Sequence, residues 1–391
     1  RYYNTSGKIR ACSVADVDCP QLVEFYIETL KLDDARIVDE EGREIPCQVS
    51  PHPRGRMISF MDTFAAGQVK EYSYFETEKS PEVINTRQCY IGAERVKDIV
   101  NDYDPESWHL PYYYENSFFR LAYRPGEGIT SFTDRRTGRE MLGKGEAPLF
   151  TPMYEVTEVR RDSGEAGCPE ERERRVMGRN MRGCHAVLHT GELKEVTCQE
   201  RGPVFTILRF HYSLPGTVHA DVIVKFYDAV PRIDFKLELG KTISSDIEGI
   251  FLPLSLNIPE SSLYLKKGSE AFRPGTDQIP GTCMEFYMSD DGLAYTGQEG
   301  GALIAVRDTP LFYMGELRHH PIRLCSGQEE DNGRPVYSWI MNNIWETNFK
   351  MDLSGFCEFD YSLWLSGEKD PERAMAQLKE RTFDPVVLIV E

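Results

Sequence analysis

Two stretches combine side chains that can bind a neutral polyol. In YSWIMNNIWETNF, residues 337–349, Asn342, Asn343, Thr347 and Asn348 sit among Tyr337, Trp339, Trp345 and Phe349. A primary amide donates and accepts at once, which matches vicinal hydroxyls. An aromatic ring offers a flat apolar surface to the C–H face of a sugar. In FRPGTDQIPG, residues 272–281, two Pro-Gly pairs shape a stiff loop. That loop presents Arg273, Asp277 and Gln278: a cation, a carboxylate and an amide. The same Asn residues would also serve as backbone caps in an irregular sheet corner, with Trp345 in the core. Residue chemistry leaves both roles open, and the cap-and-core role is the more ordinary one.

Other chemistries find little support. There is no Gly-rich phosphate loop, no GxSxG and no HExxH. Cys184, His185 and His189, with Cys198 beyond, are the nearest approach to a metal set. On a strand, positions 185 and 189 stand about 13 Å apart, too far for one ion. Core and edge positions are expected for them, and a loop or edge for His319-His320. The acid pairs Asp33-Asp34, Glu40-Glu41 and Asp290-Asp291 lie in hydrophilic turns. Acid–base catalysis needs two carboxyls facing each other across a substrate, with burial shifting a pKa. Asp134, in TSFTDRRTGRE, reads as a turn residue. No catalytic residue and no metal ligand is expected in this chain.

The elements that must position these residues are strands. PRIDFKLELG alternates strictly, with Ile233, Phe235, Leu237 and Leu239 set against Arg232, Asp234, Lys236 and Glu238. Such period-two alternation predicts a strand with one buried and one wet face. VFTILRFHYSL, ALIAVRDTPLFYMG and FCEFDYSLWLSG repeat the pattern with less contrast. Asp-Gly, Pro-Gly and Gly-Gly turns between the runs predict antiparallel connections. One helix is predicted in DPERAMAQLKERTF, with Asp370 as N-cap, Pro371 at the first position and Ala374, Met375 and Leu378 on one side. The expected fold is mainly β with few helices. Residues 1–80 form a small β-sandwich and residues 81–112 a connector. Residues 113–391 exceed a simple sandwich and are expected to form two large antiparallel sheets packed face to face. The charged run 161–175 reads as an excursion.

Composition bounds the partners. A chain of 391 residues exceeds one ordinary core. Its formal charge of −18 argues against nucleic acid and against an anionic membrane surface. No apolar run reaches the roughly 20 residues of a membrane helix. The ten cysteines contain no CxxC pair and are scattered, which predicts reduced thiols and a cytoplasmic protein. The chain opens at Arg1 and stops at Glu391 after an apolar run, so both ends are expected to continue in a longer protein.

Five segments, in order, resemble glycoside hydrolase family 38, the class II α-mannosidases. IVDEEGREIPCQV (37–49) is similar to a "D-x-x-G-x-x-(V/I)-P-x-Q" stretch of the family's small β-domain. ENSFFRLAYRPGEGITSFTDRRTGREML (115–142) resembles the opening of its large β-domain, which implies a large antiparallel β-supersandwich, galactose-mutarotase-like, over residues 113–391. VPRIDFKLEL, PGTDQIPG and MNNIWETNF are similar to later family segments. The resemblance implies a retaining α-mannosidase of bacterial type that works by double displacement. Its β/α barrel carries the nucleophilic Asp and a zinc ion, while the β-domains pack on that barrel. No barrel pattern is present here, so nucleophile, acid/base and zinc ligands are expected upstream of Arg1, and none of them can be assigned to a residue of this chain. The implied partners are that upstream barrel and a mannose-containing oligosaccharide; a homo-oligomer is compatible. Asn342, Asn343, Trp345, Thr347, Asn348, Arg273, Asp277 and Gln278 are the expected sugar-facing wall. The alternative is a free-standing carbohydrate-binding, epimerase-like or lyase-like supersandwich, since this fold serves several functions.

Overall fold

The computed structural model describes residues 6–28, 34–77, 90–93, 112–157, 186–244, 246–318, 320–328, 335–343, 353–380 and 384–390. Strands dominate and lie in antiparallel sheets of nine, six, five, five and three. Among the described residues no helix is long and apolar enough to cross a membrane.

The strictly alternating segment is the strand Arg232–Lys241, inside the nine-stranded sheet. Its inward residues Ile233, Phe235, Leu237 and Leu239 are fully or almost fully buried. They join the largest core, which the nine-stranded sheet shares with two others. One is the five-stranded sheet of residues 90–140, contributing Phe119, Leu121 and Phe132; the other is the six-stranded sheet, contributing Ile250, Leu252 and Phe312. The large unit is therefore two layers face to face, as the patterning predicts.

The small sandwich packs a five-stranded sheet on a three-stranded one around Ile9, Val23, Ile37, Phe60 and Tyr72. Two features differ from expectation. The last strand, Val386–Val390, pairs antiparallel with Ser6–Cys12 and so completes the small unit. Residues 113–391 therefore do not form one unit; the chain leaves the large sheets and returns. Inside the expected connector, Tyr90–Ala93 forms a strand against Tyr112–Glu115. The charged run 161–175 lies outside the described residues.

The helix Pro371–Glu380 forms as expected, with Asp370 Oδ1 accepting from Arg373 N–H at 2.9 Å. Ala374, Met375 and Leu378 are fully buried against Leu303, Ala305 and Trp364 on the outer face of the nine-stranded sheet.

Turn chemistry accounts for two of the family-like segments. In IVDEEGREIPCQV, Gly42 takes φ +80° and donates to the Asp39 carbonyl. The Asp39 carboxylate meanwhile accepts from the Glu41 and Arg43 N–H groups. Gln48, which ends the motif, docks the two units together. Its Oε1 accepts from Val204 N–H at 3.2 Å and Phe205 N–H at 3.1 Å, and its Nε2 donates to Glu200 at 2.5 Å. In TSFTDRRTGRE, Gly138 at φ +70° donates to the Asp134 carbonyl, the turn role expected for that aspartate.

Gln48→Ala orphans two buried N–H groups, each costing about 1–3 kcal/mol. It should lower stability by roughly 2–4 kcal/mol in urea melts. Proteolysis should then separate the two units; a melt coincident with wild type would deny the docking role.

Candidate functional site

The opening stretch divides its residues between two tasks. Tyr337 and Trp339 lie on the strand Val336–Asn342 and are buried in an aromatic cluster on the outer face of the six-stranded sheet. Trp339 stacks on Phe251 at 5.5 Å and meets Tyr313 edge-on at 5.9 Å. Asn342 is half-buried at the strand end, opposite Gly249. Asn343 follows and extends the pairing with its side chain. Its Oδ1 accepts from Glu248 N–H at 2.6 Å, and its Nδ2 donates to the Asp246 carbonyl at 2.8 Å. Trp345, Thr347 and Asn348 lie outside the described residues.

Asn343 thereby braces a buried ion pair. Lys241 Nζ and Glu248 Oε1 are 2.6 Å apart, with side chains 1% and 2% exposed. Tyr154 OH donates to the same oxygen at 2.5 Å, and Lys241 also donates to the Thr242 carbonyl. This pair ties the nine-stranded sheet to the six-stranded one.

The 272–281 loop is built around Gln278. Its Oε1 accepts from Gly275 N–H at 2.6 Å and Tyr287 OH at 2.8 Å. Its Nε2 donates to Thr282 Oγ1 at 3.1 Å and the Cys283 carbonyl at 2.9 Å. Those four bonds use the whole capacity of the amide. Asp277 is exposed, but one carboxylate oxygen accepts from Arg273 N–H at 2.7 Å. Past the loop, where Met284 N–H donates to the Arg323 carbonyl, opens a cavity of about 460 Å³ lined by Glu316, Arg318, His320 and Arg323. Glu285, buried behind it, lies 3.1 Å from His320 Nδ1 and accepts from Arg323 N–H at 3.2 Å.

The structure does not bring the two candidate segments together. Phe286 sits in one row with Tyr313 and Tyr337, and the loop precedes Phe286. Asn343 lies six residues past Tyr337 in the other direction, about 20 Å along the strand. A single sugar ring cannot touch both. Of the metal candidates, Cys184 and His185 lie outside the described residues. His189 stacks on Tyr154 at the edge of the six-stranded sheet, while Cys198 is on the nine-stranded sheet. His319 lies outside the described residues, and His320 is a loop residue.

A second cavity, of about 350 Å³, separates the small sandwich from the outer face of the nine-stranded sheet. Lys225, Lys236 and Arg307 line it together with Glu24, Asp360 and Asp384. Burial raises the Asp360 pKa, and Lys236 and Arg307 oppose that shift. Asp234, in the same cavity, shifts the opposite way. Burial would raise it too, but the Arg232 charge and hydrogen bonds from Arg232, Tyr227 and Ser362 outweigh burial and lower it. Opposite shifts in one cleft can mark an acid and a base. Here they do not, because Asp234 has no oxygen to spare. Arg232 holds it with two bonds of 2.7 and 2.8 Å, Tyr227 OH donates at 2.6 Å and Ser362 Oγ at 2.7 Å. Sequence alternation shows that Arg232 and Asp234 share a face, but not that Asp384 arrives at 3.1 Å from Arg232.

The sequence matches no family model and no curated protein. The fold does match solved structures. An α-mannosidase from Enterococcus faecalis V583 superposes with a TM-score of 0.60 at 12% identity, covering 99% of this chain and 46% of that one. A glycosyl hydrolase family 38 protein from Enterococcus faecalis superposes with a TM-score of 0.56 at 10% identity, covering 99% and 47%. At this identity the likeness is one of fold, and it falls on the family whose segments the sequence resembles. The chain spans less than half the length of either protein.

Two outcomes check the geometry. Lys241→Met strands Glu248 without its cation and should cost about 3–5 kcal/mol. Adding Glu248→Leu should recover most of it, and no recovery would mean the sheets are not joined by this pair. Asp234 contributes stability above the ordinary carboxylate pKa, lost as pH falls through its lowered folded value. Asp234→Asn should therefore lower Tm at pH 7, and the gap to wild type should begin to close only as pH falls below the ordinary carboxylate value of about 4.

Proposed function

We propose that this chain is the β-domain portion of a retaining α-mannosidase-like glycoside hydrolase. In that role it scaffolds a zinc-dependent β/α barrel and lends one wall to the glycan site. What carries the proposal is the fold likeness over 99% of this chain to an α-mannosidase of which it covers 46%. The cavity of about 460 Å³ lined by Glu316, Arg318, His320 and Arg323 is the stronger wall. On the 272–281 loop Arg273 and Asp277 are the side chains offered to a ligand, while Gln278, its amide fully used, shapes the loop. The corner with Asn342 and Asn343, leading to Trp345, Thr347 and Asn348, serves a glycan long enough to follow the sheet margin. The family's zinc does not fit the loop, where Asp277 is already held by the Arg273 backbone. Its place is in the barrel, and no step is assigned to it here. The setting proposed is the cytoplasm, on the scattered cysteines.

In this arrangement the described side chains bind and orient, and the nucleophile and acid/base belong to the partner domain. Arg318, 71% exposed at the cavity rim and paired there with Glu316, is the cation placed to meet a glycan. A second reading, a free-standing carbohydrate-binding module, is favoured by the cavity itself, which is lined by residues of the large unit alone.

The purified chain should not hydrolyse an aryl α-mannoside. In the enzyme that includes the barrel, Arg318→Ala should lower kcat/KM about tenfold at unchanged Tm, a loss of ~1.4 kcal/mol. Metal-independent turnover by the chain alone overturns the proposal. Saturable mannoside binding by the chain alone, with Arg318→Ala silent in the enzyme, selects the second reading.

A further inference from the structure

Strand register sets an alternating row of charges inside the cavity between the two units. On the outer face of the nine-stranded sheet, Ile223 stands opposite Lys236, and Lys236 opposite Asp360. Arg307 comes next, its N–H donating to the Asp360 carbonyl at 3.3 Å. Neighbouring strands lie about 4.8 Å apart, so the row reads cation, carboxylate, cation at that spacing. All four residues line the cavity of about 350 Å³, to which the small sandwich contributes Leu22 and Glu24.

Most polar groups of the lining are already used, and the exceptions lie in this row. Asp234 holds its four bonds, and Asp384 accepts from Arg232. Lys225 donates to Glu24 at 3.1 Å and sits 3.9 Å from the centre of the Phe205 ring. Lys236 donates to Glu358 at 3.1 Å and stands 4.0 Å from Asp360. Among the described residues, no hydrogen bond or ion pair engages the Arg307 guanidinium, and no hydrogen bond reaches the Asp360 carboxylate. Glu24 takes its bonds from Lys225 and Ser59 on one oxygen, which leaves the other without a described partner. Donors and acceptors with spare capacity therefore stand side by side.

The alternation decides which ligand fits. An anion bridging Lys236 and Arg307 would lie on the Asp360 carboxylate. A cation at Asp360 would lie between two cations. At this spacing each unfavourable contact offsets a favourable one. Hydroxyl groups escape the conflict, because each both donates and accepts. Neighbouring hydroxyls can donate to Asp360 while accepting from Arg307 and Lys236. Ile207, Ile223, Ala305 and Leu22 add apolar surface that suits the C–H bonds of the same molecule. The volume lies at the small end of ligand pockets, and a junction between units is a common place for one.

We propose that this cavity binds a small neutral polyol, of monosaccharide or cyclitol size, held by Arg307, Asp360 and Lys236 with Glu24 reaching it from the small sandwich. It shares no lining residue with the cavity of about 460 Å³ and stands whether or not that cavity meets a glycan. Because Glu24 and Asp360 belong to different units, an occupant ties the sandwich to the sheet beside the Arg232–Asp384 pair.

The test follows binding of myo-inositol and of mannose to the tag-free chain, in buffer without glycerol or other sugar, by saturation-transfer NMR and a Tm series. At least one of the two should saturate and raise Tm with concentration. Arg307→Ala and Asp360→Ala should each weaken that binding about tenfold or more. Arg307 is exposed and the Asp360 side chain 42% exposed, so ligand-free Tm should not fall in either. Inorganic phosphate and betaine, an anion and a zwitterion, should not compete. Arg318→Ala should leave the binding unchanged, so binding lost there belongs to the other cavity and overturns this site. Absence of saturable binding by either polyol overturns it too. So does binding indifferent to Arg307 and Asp360, or displaced by phosphate or betaine.

Discussion

The strand Arg232–Lys241 must satisfy two different environments at once, and most of the molecule follows from its register. Inward, Ile233, Phe235, Leu237 and Leu239 fill the core between layers. Outward, Arg232, Asp234, Lys236 and Glu238 meet polar and charged neighbours on the two flanking strands. A slip of one residue would exchange the two sets, burying four charges and exposing four large apolar groups. Burying the charges alone makes the slipped register untenable, so the sheet has one alignment. Lys241, on the inward set, extends the same logic past the end of the hydrophobic run. Its ammonium enters the core only because Glu248 and Tyr154 meet it there.

Buried charge therefore does the joining in this protein, and hydrophobic area does the filling. Lys241–Glu248 links the nine- and six-stranded sheets. Arg232, 3% exposed, sits between the Tyr227 and Trp364 rings at 4.8 and 5.0 Å and holds Asp234 and Asp384. Burial works against its charge, yet the two carboxylates prevail and its pKa stands well above the ordinary value. Asp384 precedes the strand that closes the small sandwich, so one guanidinium fixes where the chain leaves the large unit. Such pairs add little net stability over apolar packing, but a mispaired arrangement is heavily penalised. They select one docking geometry out of many that hydrophobic contact alone would accept.

What was legible in the sequence was periodic or local. Alternation predicts the strand Arg232–Lys241, and the Asp370–Pro371 start predicts the helix with its buried Ala374, Met375 and Leu378. The turn roles of Asp134 and the Asp39–Gly42 segment follow from Gly placement. Long-range pairings were not legible. Val386–Val390 reads as the start of something further, because alternation cannot say which distant edge a strand will join. Gln48 looks like any motif residue until Val204 and Phe205 arrive from 156 and 157 positions away. The outer row of Ile223, Lys236, Asp360 and Arg307 depends on three registers at once, and no single strand displays it.

The aromatic and amide-rich stretch illustrates the division of labour between sheet and margin. Its aromatic half, through Trp339, is core on the outer face of the six-stranded sheet, and Ser338 reaches the other layer to meet Tyr361 OH at 2.9 Å. Its first amides come where the strand pairing ends. A sheet that stops in the open leaves backbone donors and acceptors without partners. Asn343 replaces one more step of the ladder with its side chain, holding Asp246 and Glu248 where the next residue's backbone would have been. That frees the chain to turn away while the buried ion pair beneath stays in register. The amide chemistry that suits a sugar is the same chemistry that finishes a strand. A margin built this way can offer a ligand only the donors and acceptors it does not already use on itself. At Gln278, with all four positions of its amide engaged, those are none.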